Sequence, residues 1–318
     1  MAAAPASGMR ETLALATLDL ATPEAAESAP MKFWLPIIGE DTTQLLDLAR
    51  IAEACGFEGV AVADHVGVPL RYASRHPSGE TPFDHRMPFP DPLTSIAAMA
   101  AVTTRLRFLT YVYVLPMRDP FSVAKQAGTV SLLSQGRLVL GVGAGWLLEE
   151  IELLGFDPHT RGRRMDEMIE VMRRFWGGGT AEFAGKDFAF GPTGMYPCPD
   201  PPPPVWIGGK SLAALRRAAR NDGWVGMNYD LPVVASLLKQ LRVERERHLR
   251  AGGADGRFET LVLANAEPSE ELYRDLSAQG VTSTLAPAWP FGDPGFAPLA
   301  RKRAAIEAFA ERFLARAR

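Results

Sequence analysis

The feature that most constrains this chain is a regular alternation of short apolar runs with helical patterns, which begins near Met31. The strand-like runs cover residues 32–38, 59–63, 107–115, 137–142, 205–209, 223–228, 258–265 and 281–287. The helical patterns that follow them cover residues 41–54, 91–102, 119–133, 160–176, 211–220, 231–251, 269–279 and 297–318. Strands alternating with helices indicate a parallel sheet. Eight such units predict an α/β fold of the (β/α)8 (TIM) barrel type, with a doubly wound open sheet of about five to seven units as the alternative.

Two segments fall outside this alternation. Residues 1–30 contain ten alanines and three prolines, and they are predicted to be a disordered extension, a weak helix over 10–20, or sequence upstream of a start at Met31. Residues 31–318 then form one barrel domain. Residues 180–204, after the fourth helix, are predicted to be an inserted excursion with a hairpin over 181–190. Six of the eight residues from 197 to 204 are proline, which predicts a stiff extended spacer.

Charge and cysteine content argue against several classes of function. Lysine and arginine number 34 and aspartate and glutamate 37, and the resulting net charge of −3 does not favour nucleic acid or an anionic membrane as a partner. Cys55 and Cys198 have neither metal-ligand nor disulfide-framework spacing. No apolar run reaches the roughly 18 residues of a membrane span. We therefore expect a cytoplasmic protein that acts on a small molecule.

The fourth strand ends in a glycine-rich exit, Arg-Leu-Val-Leu-Gly-Val-Gly-Ala-Gly-Trp over 137–146. Gly141, Gly143 and Gly145 remove three side chains, which indicates that something approaches the main chain closely. A ligand would explain this, and so would tight strand-to-helix packing. The pattern is not the dinucleotide-binding fingerprint, because Leu148 stands where the third glycine would fall.

The active site of such a barrel lies at the carboxyl ends of its strands. Asp64 and His65 follow the second strand, Tyr111 and Tyr113 end the third, and Trp146 follows the fourth. These positions offer no cluster suited to a divalent metal and no Ser/His/Asp set. We therefore expect a large planar cofactor that supplies its own chemistry. His65 can exchange a proton near neutral pH, or it can be a structural histidine bonded to the backbone.

Other segments are interpreted from their local sequence. Gly208-Gly209-Lys210-Ser211 follows the fifth strand and starts a helix, which predicts either a phosphate site or an ordinary Ser-capped turn. The acidic run at 149–152 is interpreted as a solvated helix start. The loop over 66–90 has no periodicity, and loops of this length are usually functional. Four histidines carry no motif and are assigned to solvent: His76, His85, His159 and His248.

Six motifs then occur in order along the chain. They are Phe-Glu-Gly-Val-Ala-Val-Ala-Asp-His (57–65), Thr-Tyr-Val-Tyr-Val-Leu-Pro-Met-Arg-Asp-Pro (110–120), Lys-Gln-Ala-Gly-Thr (125–129), Leu-Ser-Gln-Gly-Arg-Leu-Val-Leu-Gly-Val-Gly-Ala-Gly-Trp (133–146), Pro-Val-Trp-Ile-Gly-Gly (204–209) and Asp-Gly-Trp (222–224). As an ordered set they resemble the bacterial luciferase-like monooxygenase superfamily, and most closely its branch that uses the deazaflavin coenzyme F420.

The resemblance implies a homodimer of barrels and assigns roles to the residues of the site. Asp64 and His65 would be the catalytic pair and would lie beside the cofactor ring and the substrate. Thr110, Tyr111 and Val112 would form a bulge behind the ring, with a cis peptide bond at Tyr111–Val112. The residues expected to hold the ring, the ribityl chain and the phosphate are Gly143, Ala144, Gly145, Trp146, Gly208, Gly209 and Lys210.

The resemblance implies an F420-dependent oxidoreductase that transfers a hydride between the deazaflavin and a small organic substrate. One alternative is an FMN-dependent monooxygenase that uses O2 on the same barrel. A second is a flavin-binding protein without turnover. Some sugar-oxidising relatives carry an acidic residue where Trp146 stands, which argues against sugar dehydrogenation.

Overall fold

The computed structural model describes residues 30–77, 79 and 83–314. Its strands are β1 (Lys32–Ile37), β2 (Gly59–Val62), β3 (Arg107–Thr110), β4 (Tyr113–Val114), β5 (Leu138–Gly143), β6 (Thr180–Ala184), β7 (Ala189–Gly194), β8 (Val205–Gly208), β9 (Gly223–Tyr229), β10 (Glu259–Ala264) and β11 (Ser283–Leu285). Its α-helices are α1 (Leu45–Cys55), α2 (Pro92–Ala100), α3 (Pro120–Leu133), α4 (Leu148–Leu153), α5 (Arg161–Trp176), α6 (Leu212–Ala219), α7 (Leu231–Arg250), α8 (Glu270–Ala278) and α9 (Leu299–Phe313). The disordered extension predicted for residues 1–30 lies outside the described residues, apart from Pro30.

The parallel strands close into a ring. Their order is β3-β2-β1-β11-β10-β9-β8-β5, and β3 also pairs with β5. The first and last strands are joined over three residue pairs, from Lys32↔Ser283 to Trp34↔Leu285. The (β/α)8 barrel predicted from the sequence is therefore confirmed.

The third barrel strand is divided into two short pieces. β3 pairs with the beginning of β5 through Phe108↔Leu138, and β4 pairs with its end through Tyr113↔Val142. Tyr111 and Val112 lie between the two pieces and pack against the inner core. The peptide bond that joins them is cis, as predicted.

Large indoles fill the lower end of the barrel. The inner core is Trp34, Ala61, Leu109, Val139, Trp206, Val225, Leu261 and Leu285. The rings of Trp34 and Trp206 meet edge to face, with centroids 5.9 Å apart. Gly59 and Gly223, at the beginnings of β2 and β9, leave room for these rings, since a Cβ at either position would collide with an indole. The interior is therefore closed at the amino ends of the strands.

Aspartates fix the beginnings of two helices that surround the barrel. Asp91 accepts a hydrogen bond from the Thr94 backbone N–H at 2.8 Å, and Asp119 accepts one from Ser122 at 2.8 Å. In both helices a proline follows in the first turn, where its missing N–H costs nothing. These caps fix the residues at which α2 and α3 begin, at the rim of the barrel that carries the site.

The excursion forms the expected hairpin. β6 and β7 pair antiparallel, from Thr180↔Gly194 to Ala184↔Ala189. The fourth barrel unit also contains the short helix α4, which begins where the acidic run at 149–152 was interpreted as a helix start and precedes the long helix α5. Within the described part of the chain, no helix is both long enough and apolar enough to cross a membrane.

Candidate active site

Asp64 and His65 follow β2, whose side chains alternate between the two faces of the barrel wall. Ala61 belongs to the inner core, whereas Val60 and Val62 pack in the outer layer between strands and helices. β2 ends at Val62, and the side chains of Asp64 and His65, two and three residues further on, bind Arg118 and Glu150 respectively. Two adjacent residues of one motif therefore have different surroundings.

Asp64 is held inside the outer layer. Its carboxylate accepts hydrogen bonds from the Arg118 guanidinium at 2.7 and 2.8 Å and from the Val114 backbone N–H at 2.8 Å. The guanidinium carbon lies 3.9 Å from the centre of the Tyr113 ring. Burial raises the pKa of Asp64, and the charge of Arg118 opposes that shift. This geometry does not support the expected contact of Asp64 with cofactor and substrate, because Asp64 is 4% exposed and both of its carboxylate oxygens already accept hydrogen bonds.

His65 is bound to a buried carboxylate. Its Nδ1 lies 2.7 Å from Oε2 of Glu150, whose side chain is 1% exposed. The other carboxylate oxygen of Glu150 accepts hydrogen bonds from the backbone N–H groups of Val66, at 2.6 Å, and Gly67, at 3.0 Å. A carboxylate placed there favours the proton on Nδ1, which leaves Nε2 to act on a ligand. The interpretation of residues 149–152 as a solvated helix start is therefore wrong for Glu150.

The bulge in the third strand accounts for several glycines. The Thr110 hydroxyl donates to the Gly141 carbonyl at 2.7 Å, and a Cβ at Gly141 would collide with the Thr110 carbonyl. A Cβ at Gly143 would lie 2.7 Å from Val112 Cγ2, and one at Gly208 would lie 2.9 Å from Val112 Cγ1. Tight packing thus explains these glycines, and the neighbour is the bulge rather than a helix.

Trp146 is the centre of an aromatic cluster at the barrel mouth. Gly145, with φ +86°, makes the turn that leads from the end of β5 to this indole. The cluster consists of His65, Tyr72, His76, Phe83, Phe89 and Trp146, with neighbouring ring centroids 4.8–6.2 Å apart. Four of its rings come from residues 66–90, which we call the lid. Ala144 packs with the outer core at the base of this turn.

His76 belongs to this cluster and was wrongly assigned to solvent. Its ring centroid is 5.0 Å from that of Trp146. Burial, together with the nearby His65, lowers the pKa of His76 to about 4. At neutral pH the ring is therefore uncharged and packs as an aromatic group.

Hydrogen bonds attach the lid to two strand exits. Glu149 accepts from the backbone N–H groups of Ala73, at 2.6 Å, and Ser74, at 3.1 Å. Hydrogen bonds to the lid outweigh desolvation and lower the pKa of Glu149 to about 2. On the other side, the Lys210 ammonium donates to the Pro77 carbonyl at 2.8 Å. The lid is thus fixed to the exits of β5 and β8.

The exit of β8 forms a Ser-capped turn into α6. Gly209 has φ +122°, and its carbonyl accepts a hydrogen bond from Trp224 Nε1 at 2.8 Å. The Ser211 hydroxyl oxygen accepts from the Ala214 N–H at 3.2 Å. The free N–H groups that open a helix, together with Lys210, provide a positive potential that suits an anion.

The rest of the described chain offers no competing site. Among residues 30–77, 79 and 83–314 there is no group of three metal-ligating side chains. A surface cleft of about 870 Å³ lies at the opposite end of the barrel, beside the prolines of the spacer, Arg107 and Glu259. The Trp34–Trp206 pair separates that end from the interior, so the candidate site is the mouth around His65 and Trp146.

A closed parallel barrel with a Glu–His pair under an aromatic lid belongs to a class of enzymes that place their chemistry at the strand exits. Residues 15–318 match the model of the luciferase-like monooxygenase family, and the chain belongs to that family, as the sequence predicts. It is accordingly an oxidoreductase.

Relatives of the chain include both uncharacterized and named proteins. An uncharacterized protein of Mycobacterium tuberculosis is 36% identical over 282 residues, which cover 87% of this chain and 96% of that protein. An F420-dependent glucose-6-phosphate dehydrogenase of Nakamurella multipartita is 30% identical over 187 residues, 58% of this chain and 51% of that protein. Among solved structures, the coenzyme F420-dependent tetrahydromethanopterin reductase of Methanopyrus kandleri is similar in fold. It aligns with a TM-score of 0.67 at 14% identity, over 91% of this chain and all of the other.

Proposed function

We propose that the protein is an F420-dependent oxidoreductase that transfers a hydride between the deazaflavin and a small organic substrate. The observation that carries the proposal is the buried Glu150 carboxylate bound to His65 Nδ1, next to the Trp146 indole at the barrel mouth. Relatives that are named as F420-dependent, and that match this chain over 58% and 57% of its length, support the choice of cofactor.

We expect a flavin-like cofactor to bind at the strand exits. Val112 projects over the inner core because Gly143 and Gly208 leave space for its side chain. It would support the ring, with Thr110 and Tyr111 behind it and residues 144–146 beside it. Gly209 and Lys210, at the start of α6, would hold the phosphate. The deazaflavin, when bound, supplies or accepts the hydride.

The role of His65 is to exchange a proton with the substrate oxygen. Reduction of a carbonyl to an alcohol adds a hydride at carbon and a proton at oxygen, and oxidation removes both. With Nδ1 bound to Glu150, Nε2 is the nitrogen that gives or takes this proton. Glu150 is a positioning residue, and Asp64 fixes β4 against β2 through Arg118.

Two other functions are distinguished by experiment. The family description favours an FMN-dependent monooxygenase as the second candidate. A flavin-binding protein without turnover would keep its cofactor affinity and be indifferent to His65→Ala. We expect that substitution to lower turnover about 100-fold or more, since positioned acid–base groups contribute that much.

Cofactor titration tests the proposal directly. Purified protein is titrated separately with F420 and with FMN, and fluorescence quenching is followed. Tight binding of F420 and not FMN is the expected result. Tight binding of FMN alone would move the protein to the oxygen-using function, and binding of neither would remove the proposal.

We also propose that the protein is a cytoplasmic homodimer. Family resemblance is the support for the dimer, and the cysteine content is the support for the location. Light scattering on the eluting protein should give about twice the chain mass of 34.5 kDa. A mass equal to one chain would contradict the dimer.

A further inference from the structure

The upper part of the barrel interior is lined by apolar side chains. Leu263 packs on the inner core from above, beside Tyr111 and Val112, and all three are only partly buried. Ile38 and Ala63 stand one residue past the ends of β1 and β2, continue the alternation of Trp34 and Ala61, and are also only partly buried. The inner wall between the bulge and the mouth therefore presents mostly hydrocarbon, and the polar residue beside Leu263 in the pairing of β9 with β10 is the uncharged Asn228.

In the part of the chain that the structure describes, the charged side chains at the mouth are bound to other parts of the protein. Glu149 is bound by lid amides and Glu150 by His65, while Lys210 donates to the Pro77 carbonyl. Glu40 forms an ion pair with Lys302 of α9 and also accepts from Trp289 Nε1.

The remaining lid cations face water. Arg71 and Arg75 are exposed, and Arg86 is paired with Asp84 at 3.0 Å. A substrate phosphate or carboxylate inside the mouth would therefore have to compete with existing partners or remain unpaired, and an unpaired buried charge is costly.

The walls and roof of the mouth are aromatic. Tyr72 and Phe83 lie 6.0 and 6.2 Å from Trp146, ring centre to ring centre, and Phe89 lies 4.8 Å from His65. Such rings offer faces and edges for another ring or an alicyclic skeleton. Among the described residues, His65 offers Nε2 to one carbonyl or hydroxyl oxygen, and the hydroxyl of Tyr229, whose ring lies 5.5 Å from Lys210 Nζ, is buried without a hydrogen-bond partner.

We infer that the substrate is an uncharged aromatic or alicyclic ketone or aldehyde, or the corresponding alcohol, and not a sugar phosphate. This inference rests on the proposed function. The ring lies among Trp146 and the lid aromatics, and its single oxygen meets His65. Reduction adds a hydride to the carbonyl carbon and a proton to the oxygen, while F420 is oxidised by two electrons.

A matched pair of aldehydes tests the inference without turnover. Protein loaded with oxidised F420 is titrated with benzaldehyde and with 4-carboxybenzaldehyde, which differ by one charge, and with glucose 6-phosphate. We expect benzaldehyde to bind about tenfold more tightly than its charged analogue, as measured by calorimetry. Trp146→Ala should weaken benzaldehyde binding by a similar factor. Tyr196→Ala, which removes an aromatic side chain that is 86% exposed on the excursion, should leave it unchanged.

Each outcome bears on the inference separately from the cofactor. If F420 binds and the charged aldehyde or glucose 6-phosphate binds as tightly as benzaldehyde or more so, the substrate class is wrong and the proposed function stands. Failure of benzaldehyde, cyclohexanone and 2-cyclohexenone to bind the F420-loaded protein also overturns the class. Failure of F420 itself to bind overturns the proposed function.

Discussion

At the residue scale, the pair formed by His65 and Glu150 decides what the mouth can do. We expect Glu150→Gln to lower kcat by more than about tenfold, because the amide no longer offers a charged partner to an imidazolium. Affinity for the cofactor should stay nearly unchanged, a split between binding and turnover that loss of packing alone would not produce. Glu152→Gln, on the exposed face of α4, is the matched control. Equal effects from the two variants would deny Glu150 this role.

The glycines around Val112 provide a second test at this scale. Gly143→Ala places a methyl group 2.7 Å from Val112 Cγ2, and we expect it to lower the free energy of unfolding by about 1–3 kcal/mol. Val112→Ala in the same chain should restore part of that loss, since the colliding methyl is removed. Gly191→Ala, with open space around it, is the control in denaturant titrations. A double variant no more stable than Gly143→Ala would show that the clash is not the cause.

Sequence patterns predicted some of these residues and missed others for a physical reason. His65 stands directly after a buried strand, which marks it for the rim of a barrel. Glu150 lies in a run of acids that has the composition of a solvated helix start. Its partner is 85 residues away, so nothing in the local spacing reports the contact. His76 was missed in the same way, because an aromatic environment supplied by Trp146 has no local signature.

At the scale of elements, the lid is the part whose behaviour should depend on pH. The pKa of His76 is about 4 when the ring is packed, against an ordinary value of 6.5, so the undocked lid takes up a proton more readily. Lid docking should be complete above about pH 6.5 and weaken as the pH falls towards about 4. Acrylamide quenching of tryptophan fluorescence should rise over that interval.

Two variants show whether the change belongs to this contact. His76→Phe keeps an aromatic ring and removes the titration, so quenching should become independent of pH over the interval. Trp146→Phe removes the reporter and should abolish the pH-dependent part of the signal. A pH response that persists in His76→Phe would assign it to another group.

The sequence predicted the order of elements better than their interruptions. The long loop over 66–90 and the hairpin of the excursion follow from missing periodicity and turn residues. The division of the third strand into β3 and β4 does not, because residues 107–115 read as one continuous apolar run. The break depends on packing of Val112 against glycines of β5 and β8, which lie far along the chain.

At the scale of the whole molecule, the last helix, α9, packs against the first barrel unit. Phe309 lies 5.7 Å from Phe33 of β1 and 6.1 Å from Phe57, ring centre to ring centre. We expect Phe309→Ala to lower the free energy of unfolding by about 3–5 kcal/mol. Phe291→Ala, at a side chain that is 46% exposed, should change it by less than about 0.5 kcal/mol. Similar midpoints of chemical unfolding for both variants would contradict this role of α9.

The number of strand–helix units was enough to predict the barrel, because eight parallel strands in sequence order close naturally. The pairing register was not predictable, since apolar runs buried on both faces carry no alternation to fix it. The face on which each rim residue lies depends on that register. This is why Asp64 and His65, adjacent in one motif, were expected to act together and instead bind different partners, Arg118 and Glu150.

The Trp34–Trp206 pair closes the barrel interior at one end, so molecules can enter and leave it at the mouth. The molecule that binds first occupies the deeper part of the interior, and it cannot dissociate until the molecule bound after it has left. We expect steady-state kinetics to show a compulsory order, with the cofactor arriving before the organic substrate and departing after it. Binding and release through the mouth, rather than the chemical step, would then limit the turnover rate.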